Sequence, residues 1–442
     1  MERPCNNEIL EILRSDVKPA LGCTEPIAVA LAVAVACEEL SEVDAIASKI
    51  KVEVSANILK NGMGVGIPGT GMIGLYVASA LASVCGKSEY GLEVLKDVCS
   101  ESVELAKHLV DNKFIEICLA DTPKKLYIAA NAIGKDIDGV EHNSRCVIAD
   151  NHDSVVLVEL DGVATFKEGD DSVKEEVTSG VEDISDDVRK RRQLTIEKVY
   201  DFATTVPIED IDFMREAIVL NKNLSEEGLM ADYGLRVGKT IASKPAVFGS
   251  AFMTRCMSMT AAASDARMAG CTLPAMSNSG SGNQGIAVTL PVVAAAAELG
   301  SSEEQLLRAM TLSHLVAIHI KSYLGKLSAL CGCVVASTGA SCGIVLLKGG
   351  TLEQAGYCIK NMVGNITGMV CDGAKVGCAM KVASGVSSAV QSAILALDDI
   401  CISSNDGIIE DNLEKTIQNL GVIGTQGMAS TDKMILDIMV CK

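Results

Sequence analysis

The chain has 442 residues, 48% of them hydrophobic, and single cores stop growing at roughly 250–300 residues, so two or three cores are expected. A net charge of −19 repels a phosphate backbone, and no Lys/Arg cluster with interleaved aromatics overrides it locally, which argues against a nucleic-acid partner. Aromatic residues make up only 3% with no Trp, so the core must be built from small and aliphatic side chains that let helices approach closely, favouring a helix-rich protein.

The opening MERPCNNEILEIL places acidic residues where a signal peptide needs a positive region, which argues against export. Residues 7–14 and 24–40 carry helical patterning, with Thr24 as candidate N-cap and Pro26 in the first turn, so Cys23 sits at a helix entrance. Ser48 to Ile58 alternates as a strand should, and the glycine-dense Asn61 to Gly71 follows as a long irregular loop. From about 112 to 167 short β-like runs appear: Phe114–Leu119, Lys125–Ala130, Arg145–Ala149, Ser154–Leu160 and Val163–Lys167. The acidic, Ser-rich Glu168 to Asp187 reads as a solvated connector ahead of the helical Thr195 to Thr204.

Beyond about 206 the pattern is helical almost throughout: Ile208–Leu220, Ala246–Met268, Gln284–Leu299, Ser302–Ile320, Thr351–Val370, Val376–Leu397 and Thr431–Cys441. The fold class expected is therefore α+β, with a smaller α+β lobe inserted after N-terminal helices and a mostly helical C-terminal lobe. Residues 1–205 form the first part and 206–442 an all-α domain, onto which the helix near 24–40 packs. The longest apolar stretches, Ile27–Cys37 and Ile286–Ala297, fall short of the roughly 20 residues that a membrane span needs. They read as buried helices of a cytoplasmic protein.

Seventeen cysteines in a cytosolic chain are more readily reduced thiols or metal ligands than disulfides. Cys37, Cys85, Cys99, Cys118, Cys256 and Cys358 lie among apolar neighbours and read as packing. Gly234-Leu235-Arg236-Val237-Gly238-Lys239-Thr240 has three residues between its glycines where a P-loop needs four, Gly62–Gly71 lacks dinucleotide-fingerprint spacing, and five His without a His-Glu-x-x-His pattern give a zinc hydrolase little support.

The informative region runs from 271 to 381. Ser277-Asn278-Ser279-Gly280-Ser281-Gly282-Asn283-Gln284-Gly285 offers nothing to a core and leads into a helix, so its free N–H groups and the positive helix end suit a carboxylate or phosphate; the alternative is a plain polar loop capped by Asn283. Leu330-Cys331-Gly332-Cys333 and Cys371-Asp372-Gly373-Ala374-Lys375-Val376-Gly377-Cys378 are set among glycines where backbone can fold around a cluster, and thiolates are the ligands that iron–sulfur clusters use. No four-Cys ferredoxin spacing is present, so zinc binding and simple packing stay open. A cluster held by three thiolates would keep one iron open to substrate, as a Lewis-acid enzyme requires.

The motifs Gly22-Cys23-Thr24-Glu25-Pro26, Asn61-Gly62, Pro68-Gly69-Thr70-Gly71, Ala263-Ser264-Asp265-Ala266-Arg267-Met268, the Ser277–Gly285 loop, Leu327-Ser328-Ala329-Leu330-Cys331, Cys371-Asp372-Gly373-Ala374 and Cys378-Ala379-Met380-Lys381 resemble the L-cysteine desulfidase family, relatives of the iron–sulfur L-serine dehydratases. The resemblance spans nearly the whole chain and is weakest between about 110 and 200. It implies a 4Fe-4S cluster on Cys331, Cys371 and Cys378, with Cys333 an alternative to Cys331, and a catalytic base at Cys23, with Glu25 the runner-up. A helix start could hold Cys23 as a thiolate. The implied reaction is β-elimination from L-cysteine or L-serine, the former giving pyruvate, ammonia and sulfide.

Ser277, Asn278, Ser279, Gly280 and Asn283 are the expected substrate-binding residues, Asn283 and Ser279 first for the carboxylate, with Arg267 and Lys321 as charged partners or as helix salt bridges. His314 and His319, five apart on one helix and so about 500° around it, share no face and read as satisfied histidines. Cys441, penultimate and closing a helix, is a weak candidate for reaching back to the open iron. A non-catalytic iron–sulfur sensor or redox module is the competing reading; acidic charge and the missing fourth cysteine speak against it. The Gly/Ala-rich helices could form a homodimer face as readily as a core.

Overall fold

The segment after Cys23 is apolar on every side, which a helix tolerates only when it is enclosed, and the first half of the chain is assembled around it. The computed structural model describes residues 6–167, 186–249, 251–325 and 328–441. Helix α1 (Asn6–Asp16) and the short strand β1 (Pro19–Ala20) lead into that enclosed helix, α2 (Thr24–Ser41). Strand β2 (Ile46–Val54) and helices α3 (Ala56–Gly62), α4 (Leu75–Cys85) and α5 (Ser100–Asp111) come next. Strands β3 (Ile115–Leu119), β4 (Tyr127–Lys135), β5 (Glu141–Ala149), β6 (Val155–Leu160) and β7 (Val163–Lys167) then complete a six-stranded sheet. The strand order is β3-β2-β4-β5-β6-β7, with β2 and β3 parallel across the helical crossover and the other pairs antiparallel. Helix α2 lies on this sheet, and Ile27, Leu31, Val33 and Leu40 join Ile50, Val52, Ile128 and Ile148 in one core.

The remaining elements are helical apart from one two-residue strand: α6 (Asp186–Arg192), α7 (Ile196–Thr205), α8 (Met214–Met230), α9 (Val237–Ser243), α10 (Pro245–Phe248), α11 (Phe252–Met268), β8 (Ala275–Met276), α12 (Gly282–Leu299), α13 (Glu303–Leu324), α14 (Gly332–Leu347), α15 (Leu352–Ile366), α16 (Cys378–Leu397), α17 (Leu413–Val422) and α18 (Ala429–Val440). The fold is thus α+β with a helical C-terminal part. Helix α11 is surrounded by α8, α9, α12 and α16, and α14 by α12, α13, α15 and α16. Helices α1 and α7, although they precede residue 206, add Ile9, Leu13, Val199 and Phe202 to the core of these later helices.

Several boundaries differ from the sequence expectation. The strand expected over Ser48–Ile58 ends at Val54, because its partner β4 begins at Tyr127; Ser55 closes the pair by donating its N–H to the Tyr127 carbonyl, and α3 starts. The helix expected over Ala246–Met268 is broken around Gly249, which holds φ +78°, and a short 3-10 turn, Ile208–Ile211, precedes α8. Helix α14 was not expected: Gly, Ser and Thr give it weak propensity, and packing overrides it. Cys99 is exposed rather than packed. The Glu168–Asp187 connector falls at positions 168–185 outside the described residues, as do the first five residues of the chain.

Among the described residues one helix, α16, is long and apolar enough to cross a membrane by length and composition, a feature the apolar-run reading missed. Its Val382, Val386, Ala389 and Val390 are buried, and it packs on α11, α14 and α15.

The two halves are stitched together through the glycine-dense loop after α3. Gly66 donates its N–H to the Met268 carbonyl at 2.9 Å, Gly69 donates to the Gly270 carbonyl at 3.1 Å, and Gly64 pairs with Lys375. Helix α18 returns to the first half, where Lys60 pairs with Asp432 and Leu436 enters the sheet-lobe core.

Candidate active site

The apolar run of α2 begins directly after Cys23, so Cys23 takes the N-cap position in extended backbone (φ −106°, ψ 133°) and Thr24, the expected cap, becomes the first helical residue. The Cys23 thiol donates to Glu25 Oε2 at 2.9 Å, the Thr24 hydroxyl reaches the same oxygen at 3.3 Å, and Asn61 Nδ2 from α3 donates to Glu25 Oε1 at 3.1 Å. Burial, and then the Glu25 charge, push the Cys23 thiol well above its ordinary value. Burial alone would raise Glu25 too. His152, the bond from Cys23, a backbone N–H and Arg267 outweigh it, and the carboxyl is held below its usual range. The expected resting thiolate is therefore corrected: the proton sits on sulfur and the charge on Glu25, because burial beside a carboxylate outweighs the helix dipole.

Cys23 shares a small apolar patch with Val65 and Met268, against which Ala374, Val376 and Cys378 pack. Around this patch the other thiols are placed by backbone pairing. Leu330 and Val370 form an antiparallel bridge, flanked by Cys331 N–H to the Met369 carbonyl at 3.0 Å and Cys371 N–H to the Ala329 carbonyl at 2.6 Å. That bridge sets Cys331, at the start of α14, beside Cys371; Cys378 opens α16. Cys331 is buried, and Cys371 and Cys378 are half-buried. Burial first, then the neighbouring Cys333, Cys371 and Cys378, raise the Cys331 thiol, and Cys378 is raised by burial and by Cys371. The thiols are thus within electrostatic reach of one another.

Cys333 is also close to Cys331, but its thiol is engaged with other groups. Its thiol donates to the Lys381 carbonyl at 3.2 Å and packs where a Cβ on Gly385 of α16 would stand. Two cations face the other thiols. Burial lowers Lys321 at the end of α13 while Cys371 and Cys331 oppose that shift, and for Lys381 the burial effect is outweighed by Asp372 with help from Cys331 and Cys371. Asp372 pairs with both Lys375 and Lys381, and despite its burial is held at about 2. Gly373, beside it, has φ +91° and lies where a Cβ would meet the Lys60 carbonyl, so only glycine lets this loop lie against α3.

Among the described residues no three His, Cys, Asp or Glu side chains close on a single metal ion. Ligands of a multi-iron cluster stand further apart than those of one ion because several irons lie between them. Three thiols with balancing lysines and a fourth thiol tied to a carbonyl suit that donor set.

The Ser277–Gly285 loop is pinned from below: Ser277 donates its N–H and hydroxyl to the Lys18 carbonyl at 2.8 and 2.6 Å, and Ser279 donates its N–H to the Asp16 carbonyl at 3.0 Å. Ser281 caps α12 by accepting the Gln284 N–H, leaving the Gly282 and Asn283 amides ahead of the first helical bond. Arg267, 7% exposed, donates Nη2 to the Gly22 carbonyl at 2.8 Å and lies where a Cβ on Gly282 would stand, so it joins the Cys23 turn to the α12 start. Asn283 accepts from Ser264 at 3.4 Å, whereas Ser279 is tied to Asn278 and Gly280 points outward.

Asn278 is buried and reaches His314, which burial pushes down to about 3; His319 is enclosed with Glu414 at 2.6 Å. Cys441 stands exposed at the end of α18. Asn61 was singled out only as part of the Asn61-Gly62 motif, with no role given to it, and His152 and Gln284 were missed by sequence reasoning: His152 carries no local signal, and Gln284 was passed over inside a loop already singled out.

The serine dehydratase alpha chain family model matches residues 89–437, which include the thiols and the α12 loop but not Cys23. The chain is also similar over its full length to the UPF0597 proteins of Phocaeicola vulgatus (49% identical, covering 100% of this chain and 99% of that protein), Parabacteroides distasonis (48%, 100% of each) and Oleidesulfovibrio alaskensis (46%, 100% of each).

Proposed function

Because this chain belongs to the serine dehydratase alpha chain family, we propose that it is a cytoplasmic, iron–sulfur dependent β-elimination lyase that degrades L-cysteine to pyruvate, ammonia and sulfide. The observation that carries the reading is the junction itself: the Cys23–Glu25 pair packs against Cys378 while Arg267 ties the same turn to the start of α12. Acid–base group, anion cradle and thiols then serve one small ligand.

In this reading Cys331, Cys371 and Cys378 would hold a 4Fe-4S cluster. When bound, that group supplies a Lewis acid toward the leaving thiol or hydroxyl. The amides of Gly282 and Asn283, with the Arg267 guanidinium behind them, bind and orient the substrate carboxylate. Glu25 takes the thiol proton of Cys23 as the sulfur takes the substrate Cα proton, so the charge resting on Glu25 is passed to the reacting atoms only during the step. Burial raises Cys23, which makes its transient thiolate a strong base. Loss of the Cα proton expels the β-substituent, and the aminoacrylate released tautomerises and hydrolyses to pyruvate and ammonia. Asn61 and Thr24 fix the Glu25 carboxylate for this transfer.

The test is anaerobic reconstitution with iron and sulfide, followed by parallel assays of pyruvate and sulfide with L-cysteine and of pyruvate with L-serine. Faster turnover of L-cysteine supports the reading, and faster turnover of L-serine moves it to a serine dehydratase. A fully loaded protein that turns over neither overturns the lyase assignment.

A further inference from the structure

Gln284, in the first turn of α12, is 1% exposed, yet its Oε1 is buried without a hydrogen-bond partner among the described residues. A buried acceptor left unpaired costs about 1–3 kcal/mol, so such an atom calls for an explanation. Its orientation follows from its neighbours. Asn278 approaches the His314 carbonyl at 3.3 Å, and only an amide NH2 can face a carbonyl oxygen, so Asn278 Nδ2 points to His314 and Oδ1 points away. That oxygen accepts from Gln284 Nε2 at 2.7 Å and from the Ser279 hydroxyl at 3.0 Å. Gln284 is therefore clamped by its nitrogen, and its oxygen is committed to the opposite side.

The clamp is itself anchored. His314 is buried and neutral; it accepts from Asn278 on Nδ1 at 3.1 Å, and its Nε2–H therefore points to Thr289 Oγ1 at 3.1 Å. The oxygen of Gln284 lies 3.4 Å from where a Cβ on Gly332 would stand, so it borders the backbone immediately after Cys331. At the same helix start, Arg267 Nε is likewise buried without a partner among the described residues and lies where a Cβ on Gly282 would stand. One helix end thus presents an unpaired donor on a cation and an unpaired, fixed acceptor. That pair complements a zwitterion, with its carboxylate toward Arg267 and its ammonium toward Gln284.

We propose that Gln284 Oε1 receives the α-ammonium group of the amino-acid substrate, with Asn278 and His314 as the positioning residues that hold it. The inference rests on the lyase reading and supplies the amine half of substrate recognition. L-alanine and propionate, which share a carboxylate and a methyl group, differ only by that ammonium, and neither carries a leaving group. Their binding to the reconstituted protein is measured calorimetrically, without turnover.

The wild type is expected to favour L-alanine over propionate, and Gln284→Met to reduce that preference about 10- to 100-fold, the range for a hydrogen bond to a charged group. Gln284→Glu keeps an acceptor at the site and is expected to retain the preference, although it breaks the bond to Asn278 as surely as the Met variant does. A merely structural role would damage both variants alike. The inference is overturned if the wild type binds the two ligands equally, or if folded Gln284→Met keeps the wild-type preference. Preference lost in the Met variant with no turnover of L-cysteine or L-serine by the wild type would sink the lyase reading and leave the amine site standing. Turnover with an unchanged preference in the Met variant would do the reverse.

Discussion

Replacing Gly373 by Ala probes the loop that carries two of the three proposed cluster thiols. Gly373 sits at φ +91°, a conformation that costs an L-residue about 1–2 kcal/mol, and its new Cβ would meet the backbone carbonyl of Lys60, which cannot swing aside as a side chain could. Overpacking of that kind adds about 1–3 kcal/mol, so Gly373→Ala is expected to cost about 2–5 kcal/mol in total. The strain falls between Cys371 and Cys378, and the loop can relieve it by lifting from α3, which would spread those thiols. The assay compares iron and acid-labile sulfide retained after anaerobic reconstitution, together with thermal unfolding, in wild type, Gly373→Ala and Gly368→Ala. Gly368 has open space around its Cβ position and serves as the control. Gly373→Ala should lose cluster and unfold earlier while Gly368→Ala behaves as wild type. Equal loading and equal unfolding in Gly373→Ala would refute the argument.

Glu25→Gln removes the carboxylate that accepts the Cys23 proton and should lower turnover about 10²- to 10⁴-fold with the cluster content unchanged; a drop below tenfold in steady-state assays would discard Glu25 as the proton acceptor. Asp432→Ala strips the ion partner from Lys60, which is 3% exposed while Asp432 is 30% exposed, so the cost should fall somewhat below the roughly 3–5 kcal/mol of a fully buried pair. Denaturant midpoints within error of the wild type would contradict it. Burial raises Asp265 from 3.8 to about 6, against the Gly238 N–H that favours its charge, so the folded chain holds this proton more tightly than the unfolded one. The stability it contributes is full below 3.8 and lost as pH rises through about 6, and Asp265→Asn should flatten that fall. Identical slopes in denaturant titrations across the window would exclude it.

Periodicity revealed what depends on local pattern. The enclosed helix after Cys23 and the short strands from 115 to 167 were legible because runs of apolar residues and period-two alternation survive in any context. Helix α14 was not, since its Gly-, Ser- and Thr-rich sequence becomes helical through four packed neighbours rather than propensity. At the site, the cysteine motifs stood out in the sequence. Their adjacency depends on the Leu330–Val370 bridge, a pairing of residues forty apart that no local signal encodes. The protonation of Cys23 was misjudged for a similar reason: a helix start suggests a thiolate, but the Glu25 side chain folds back onto the sulfur. Cys331 and Cys333 could not be separated by spacing; in the structure the Cys333 thiol donates to the Lys381 carbonyl, which is why Cys331 is the one proposed as ligand.

The most direct test of the account is the iron and acid-labile sulfide content of anaerobically reconstituted Cys331→Ser, Cys371→Ser, Cys378→Ser and Cys333→Ser, measured beside wild type. Wild type and Cys333→Ser should hold the cluster, and the other three should lose it together with pyruvate formation. A cluster that survives all three of those substitutions, or that is lost only with Cys333, would contradict it.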